Sequence, residues 1–272
     1  MVKRFQCQRY VGLILVAALG WTLVGCPKPQ QRPGAWTSSS TTTPYSPREV
    51  VDLSIEPPDK AAIGSAELDL TMVPIDIELP APAFRGTPVP LKEPNVEPPL
   101  GKPRPPFLAP EGTVNLARRK PVTASDPAPP AGEVDYVTDG DKEASDFGYL
   151  ELRPGTEWVQ IDLGQQATVY GVVVWHNHAE ARVYRDVIVQ AGDDPDFLDP
   201  QTVFNNDYDG SSGLEVGSDL GYVETNEGKL IGCKDEKGRY IKARYIRLYS
   251  KGSHIDSKNH YTEVEVYGKP AA

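Results

Sequence analysis

The chain is poor in cysteine, in basic charge and in long apolar runs. It has 272 residues and 3 cysteines, at Cys7, Cys26 and Cys233. Their spacing pairs none of them, which excludes a disulfide scaffold and a zinc ribbon. No stretch of about 20 consecutive apolar residues occurs, so no segment reads as a spanning helix. The net charge is −10, and the whole imbalance lies after Gly112, where 17 basic residues face 27 acidic ones. An acidic head repels phosphate backbones and releases no counterions, which excludes nucleic acid and disfavours an anionic bilayer surface. The Gly-x-Ser-x-Gly elbow, His-Glu-x-x-His and the phosphate loop are also missing, so the chain reads as a binding protein and not an enzyme. Past Gly112 no window keeps a 3.6-residue apolar period for three turns, which leaves helices of a single turn at most.

What is abundant is proline, at 27 residues, and its distribution divides the chain. Nineteen lie between Pro27 and Pro110 and eight after it, whereas all 4 His and 11 of the 13 Tyr fall after Gly112. The expected organisation is a leader over 1–25, a Pro/Ser/Thr-rich disordered linker over 26–111 and a globular head over 112–269. A head of roughly 160 residues is long enough to bury a core of its own.

The leader has a positive start (Lys3, Arg4, Arg9) and an apolar run from Val11 to Val24, which is the pattern of a signal peptide. It ends in Leu23-Val24-Gly25-Cys26, which resembles the bacterial lipobox. That resemblance implies cleavage before Cys26 and acylation, palmitate included, of its thiol and new amino group. Each buried methylene contributes ~0.8 kcal/mol, so several acyl chains hold a protein on a membrane. Pro27 in place of Asp after the lipid-bearing Cys resembles outer-membrane lipoproteins of Gram-negative hosts. The location implied is the cell envelope, facing the periplasm or the outside.

The linker reads Pro-Lys-Pro, a Ser/Thr run at 38–43, then repeated Glu-Pro-Pro and Arg-Pro-Pro. Proline removes amide donors and Ser/Thr runs supply no core, so a disordered tether is expected, averaging ~50 Å as a flexible coil. One stretch is different: Leu68, Leu70, Met72, Ile75, Ile77 and Leu79 nearly alternate with polar residues. It reads either as a strand added to a partner or to the head, or as an apolar unfolded segment interrupted by Pro74.

In the head, short runs rich in Val, Ile and Tyr are bounded by Gly, Asp or Asn. They include Trp158–Leu163, Val169–Trp175, Asp186–Gln190, Lys242–Tyr249 and Glu263–Tyr267. Short strands with long polar loops predict an all-β sandwich or barrel. Strict alternation puts Ala243, Tyr245, Arg247 and Tyr249 on one face and Arg244, Ile246 and Leu248 on the other. The Gly-rich stretch 205–239 predicts an elaborated loop. The acidic runs at Asp193–Asp199 and Asn205–Asp209 read as solvated loops or as a cation site. Cys233 reads as a free thiol, in a loop or modestly buried.

Five segments occur in order: Asn115–Ser125 (NLARRKPVTAS), Val137–Asp141 (VTDGD), Trp158–Gly164 (WVQIDLG), Ala243–Leu248 (ARYIRL) and Glu263–Gly268 (EVEVYG). Together they resemble the discoidin, or factor V/VIII C-type, domain over about Val114–Gly268. The resemblance implies an eight-stranded jelly-roll β-sandwich of the galactose-binding-like type, with ligands bound by loops at one end. Members usually bind glycans, others phospholipid headgroups or protein, and few are catalytic by themselves.

Two constellations follow. The turn Asp139-Gly140-Asp141 suits a hard, oxygen-preferring cation such as calcium, or is a solvated β-turn. The resemblance implies a structural calcium held by the side chains of Asp139, Asp141 and Glu263 and the carbonyls of Tyr136 and Thr262, although Ser145–Tyr149 departs from the family's pattern after this turn. The second is Trp175-His176-Asn177-His178 with Arg182, Tyr184 and Arg185. Sugars need planar donors for vicinal hydroxyls and an aromatic face for ring C–H groups. His176, Asn177, His178, Arg182 and Arg185 supply the first, and Tyr149, Trp175 or Tyr208 the second; alternatively Trp175 is core and the polar residues a solvated edge. His254 and His260 read as loop and structural residues. The functional expectation is a lipid-anchored envelope protein whose head recognises a carbohydrate; the alternative is a protein-binding or structural envelope lipoprotein without a glycan ligand.

Overall fold

The computed structural model describes residues 71–84, 91, 93–143 and 147–271. The leader, Cys26, and Leu68 and Leu70 of the alternating stretch lie outside them. The strands are β1 (Met72–Ile75), β2 (Phe107–Pro110), β3 (Val114–Asn115), β4 (Val122–Ala124), β5 (Leu150–Leu152), β6 (Glu157–Trp175), β7 (Ile188–Gly192), β8 (Gln201–Asn205), β9 (Lys229–Gly232), β10 (Ile241–Ser250), β11 (Asn259–Tyr261) and β12 (Glu263–Pro270). The one helical element among the described residues is a 3-10 turn, Val134–Thr138. The fold is all-β and its strand ladders are antiparallel, as the short Val- and Ile-rich runs predict.

Eight strands hydrogen-bond into one set that bends into a two-layered jelly roll. The bend is in β6, where Gly164 takes a φ of +86° that only glycine adopts without strain. Before it, β6 lies between β4 and β10, and β7 and β8 extend that layer. After it, β6 lies between β12 and β9, with β3 beyond β12. Val159, Ile161 and Leu163 from the first half share one core with Val172 and Val174 from the second, joined by Val189, Ile246, Leu248 and Val264.

Simple alternation fails at one place. Ala243 is buried in the same core as Ile246 and Leu248, not on the face of Tyr245 and Tyr249. The register shifts between Ala243 and Tyr245, where Arg244 alone stands opposite residues 163–166 of β6, and such an irregularity breaks the alternation so that the following side chains occupy the other face. Cys233 belongs to this core and has no solvent exposure; burial pushes its thiol pKa up to about 12.

The expected spacer 26–111 needs correction over its described part. β1 and β2 form an antiparallel ribbon, and Ile75, Ile77 and Phe107 pack on Val173, Trp175 and Tyr267, the outer side of the second layer. The Phe107 and Tyr267 rings meet edge to face at 5.9 Å. Lys142 is tied into the same surface, with Nζ 2.9 Å from Glu265 Oε1 and donating to the carbonyl of Glu78 at 2.7 Å. Asn226 Nδ2 donates to the carbonyl of Pro80, and Arg104 Nη1 to those of Glu227 and Gly228. The described residues of this stretch, 72–84 and 93–110, thus form a strap on the sandwich, within one compact unit with it. The strand of the alternating stretch pairs with β2 of the strap, not with a strand of the sandwich, and reaches the head through side-chain packing.

Candidate ligand-binding site

The segment after β6 turns into the protein rather than out of it. Trp175, His176 and His178 have no solvent exposure, and Asn177 and Arg182 are buried. His176 Nδ1 lies 2.6 Å from Glu224 Oε1, and its ring stacks on Tyr184 at 4.4 Å. His178 Nε2 lies 2.8 Å from the carbonyl of Lys142. Asn177 Oδ1 accepts from the amide of Ala179, and Arg182 pairs with Asp256 and Glu180 at 2.8 and 2.7 Å. These four side chains are engaged in the interior, so the expectation that they face a sugar is corrected. Tyr149 packs edge-on against His260 at 5.0 Å. His260 Nδ1 lies 2.9 Å from the Tyr184 hydroxyl, and its Nε2 3.3 Å from Glu151 Oε2. Burial, and then the nearby Arg182 charge, hold its pKa below the usual imidazole value. His254 Nδ1 accepts from the amide of Val183. Both histidines are structural, as expected.

The two remaining candidates, Arg185 and Tyr208, meet in one cleft of about 80 Å³. Its walls include Glu93, Asn95, Asp186, Asp209 and Ser211. The Tyr208 ring is exposed. The Arg185 side chain keeps 54% of its exposure, and its Nη2 stands 3.4 Å from Glu93 Oε2. One wall is the elaborated loop, held by local capping: Asp207, fully buried, accepts from the amides of Ser211 and Ser212 at 3.0 and 2.9 Å. The opposite wall is the strap. Its Asn95 carbonyl accepts from Gly221 N at 2.7 Å and its Glu97 amide donates to the Gly221 carbonyl at 2.8 Å. Lys229 Nζ then pairs with Glu97 at 2.7 Å. Glu93 and Asn95 were missed because they lie in a run of prolines that reads as spacer.

The acid run at Asp207 and Asp209 converges with Asp186, with oxygens within 4.8 Å of one another. Ser211 Oγ donates to Asp186, Lys251 Nζ stands 4.0 Å from it, and burial raises its pKa. The cleft therefore offers a planar cation, an aromatic ring, a hydroxyl and several acceptors, a set able to pair with hydroxyls while stacking on an apolar face. A wider hollow of about 240 Å³ at the β6 bend is lined by Leu116, Lys120, Leu163 and Pro270 among others. It has one charged side chain and no aromatic ring, and so lacks this combination.

At the acidic turn, Gly140 takes a φ of +87°, and an added Cβ would lie 1.2 Å from Arg118 Nη1. Its amide donates to Glu263 Oε2 at 3.0 Å. Asp139 Oδ1 accepts from the amide of Asp141, and Asp141 Oδ1 from that of Glu143. Thr262 Oγ1 donates to the carbonyl of His176, and Tyr136 lies in the 3-10 turn. Glu263 is wholly buried, and its Oε1 has no hydrogen-bond partner. Burial pushes its pKa up to about 9. Among the described residues the carboxylates of Asp139, Asp141 and Glu263 do not converge as those of Asp186, Asp207 and Asp209 do. The feature here that suits a hard cation is the orphaned Glu263 oxygen, whose buried charge a cation would neutralise.

A scan against protein-family models and a search of curated proteins return no match. Solved structures that resemble the chain include a family 89 glycoside hydrolase from Clostridium perfringens in complex with GlcNAc-alpha-1,4-galactose, at 17% identity and a TM-score of 0.42. That likeness covers 58% of this chain and 15% of the hydrolase, so the chain spans a small part of that enzyme's length. The CBM32 of AlyQ in complex with 4,5-unsaturated mannuronic acid is 24% identical over 54% of this chain and 92% of that one, with a TM-score of 0.38. Chitosan-binding module 1 of a chitosanase/glucanase from Paenibacillus sp. IK-5 is 22% identical over 57% of this chain and 99% of the module, with a TM-score of 0.39. The strand pairing itself, and not these overlays, defines the architecture above.

Proposed function

We propose that this chain is a carbohydrate-binding lipoprotein of the bacterial cell envelope, anchored through acylated Cys26 and presenting its β-sandwich as a non-catalytic head. The observation that carries the glycan reading is the meeting of Arg185 and Tyr208 in one polar cleft at the loops. A guanidinium supplies up to five N–H donors in a plane, suited to vicinal hydroxyls, and the exposed tyrosine ring supplies the stacking face. A calcium ion at Asp139, Asp141 and Glu263, with the carbonyls of Tyr136 and Thr262, is proposed as a structural element that supplies charge neutralisation. The leader and the Pro27 rule support an outer-membrane location.

Glycan-array binding by the full chain carrying Cys26→Ser tests the head. Binding lost by more than tenfold in both Arg185→Ala and Tyr208→Ala is expected; binding indifferent to both would remove the cleft from the account. Labelled palmitate incorporated by the wild-type chain and not by Cys26→Ser tests the anchor. A protein partner is the second reading, favoured by the exposed Leu214, Val216 and Leu220 beside the cleft. Envelope proteins that co-purify with the wild type and are lost in Val216→Asp, with every glycan silent, would select it.

A further inference from the structure

We infer that Glu93 sets the charge class of the cleft's ligand: the site takes uncharged or amine-bearing sugars and excludes uronic acids. This rests on the glycan reading above and goes beyond it, because without the strap Arg185 would be free to pair with a sugar carboxylate. Without the strap, Arg185 would be an open guanidinium at the mouth of a cleft, the usual receptor for a sugar carboxylate. The strap places Glu93 Oε2 3.4 Å from Arg185 Nη2. The position is set by the backbone, through the Asn95 and Glu97 hydrogen bonds to Gly221, and by the Glu97–Lys229 pair two strap residues further on.

The consequence follows from charge and donor geometry. Among the described residues Arg185 is the one basic side chain in the cleft lining, against Glu93, Asp186 and Asp209. Lys251, 4.0 Å from Asp186, offsets part of that excess. A sugar carboxylate would have to displace Glu93 from Arg185 and then sit among carboxylates, where the local potential is against it. A hydroxyl needs no net charge from its partner. One guanidinium N–H is committed to Glu93, which leaves others of the five for hydroxyl oxygens. A sugar ammonium meets complementary charge. Glu93 is thus a specificity-determining residue supplied by a segment outside the sandwich.

The test is binding of three oligosaccharides of equal length, one neutral, one of glucosamine units and one of uronate units, to the full chain carrying Cys26→Ser. The parent is compared with versions that add Glu93→Gln, and Glu93→Gln with Arg185→Ala. The expected result is parent binding to the neutral or amine-bearing ligand, with uronate at least tenfold weaker. Glu93→Gln then gains uronate affinity by about tenfold or more, and the added Arg185→Ala cancels the gain. Uronate bound by the parent as tightly as the others, or unchanged by Glu93→Gln, overturns the inference while leaving the glycan reading standing. Silence of the parent and both variants towards every oligosaccharide overturns both. If Glu93→Gln does not fold, the order of the three ligands on the parent decides alone.

Discussion

His176 Nδ1 and Glu224 Oε1 lie 2.6 Å apart, and neither side chain has any solvent exposure. The pair joins the end of β6 to the elaborated loop, 48 residues further along the chain. Tyr184 stacks on one side of the imidazole, and Tyr261 stands 4.9 Å from it, tilted at 43°. A polar pair in such surroundings fixes where the loop sits, and with it the cleft wall that the loop forms.

Removing one partner leaves the other buried and unpaired, which costs roughly 1–3 kcal/mol, more where the stranded group is charged. His176→Ala or Glu224→Ala should each lower stability to urea by about that much. The double variant should lose far less than the sum of the two, because the second deletion removes the stranded group. A loss below about 1 kcal/mol in both single variants would mean that the pair is solvated and that the loop is held by other contacts.

His260 gives the pH dependence. Its pKa is lowered from 6.5, first by burial and then by Arg182, so the folded state holds it neutral. A neutral ring can donate from Nε2 to Glu151 and accept at Nδ1 from Tyr184, which matches both contacts. Below 6.5 the unfolded chain binds this proton and the folded chain resists it. Stability from this group is therefore full above 6.5 and falls as pH drops through the lowered folded value. Chemical denaturation at a series of pH values should show that decline for the wild type and a flatter curve for His260→Gln. Equal slopes would remove His260 as its source.

How much of this was legible in the sequence differs by element. The strands were readable because Val159, Ile161 and Leu163 alternate with polar residues, and periodicity reports a half-buried strand directly. The turn at Asp139-Gly140-Asp141 was readable too, since a glycine between two aspartates marks the positive φ that Gly140 takes. The burial of His176 and His178 was not. Two histidines around an asparagine read as a polar loop, and their partners, Glu224 and the Lys142 carbonyl, are distant in the chain. The register shift at Arg244 was equally hidden, because nothing in Ala243–Tyr249 marks it and the surplus residues, 163–166, lie on β6. Composition misled at the strap, where proline density suggested disorder. Proline is tolerated in edge strands, where its missing amide costs no ladder bond, and β1 carries Pro74 in this way.

The strap supplies a prediction that a Gly112 boundary does not. Phe107 packs on Tyr267 and against Gly171, where an added Cβ would come within 2.8 Å of its ring. Limited proteolysis should leave a resistant fragment that begins at or before Met72, not near Gly112. Phe107→Ala should cost about 1–2 kcal/mol for its partly buried ring and expose the indole of Trp175 to quenchers. A resistant fragment starting near residue 112, with unchanged quenching in the variant, would show that the sandwich does not depend on the strap.

Calcium is tested most cleanly at Glu263, because its unsatisfied Oε1 is the feature that calls for a cation. Without metal the buried carboxyl is driven towards its neutral form, its pKa pushed up to about 9 by burial. Glu263→Gln keeps an acceptor for the Gly140 amide and removes the charge that a metal would neutralise. Millimolar calcium should therefore raise the wild-type melting temperature by several degrees, with chelator reversing the gain. The variant should melt at or above the chelated wild type and gain nothing from calcium. A calcium response that survives in Glu263→Gln would place the ion elsewhere, and a wild type indifferent to calcium and chelator alike would leave Glu263 as a buried, protonated acid held by Gly140.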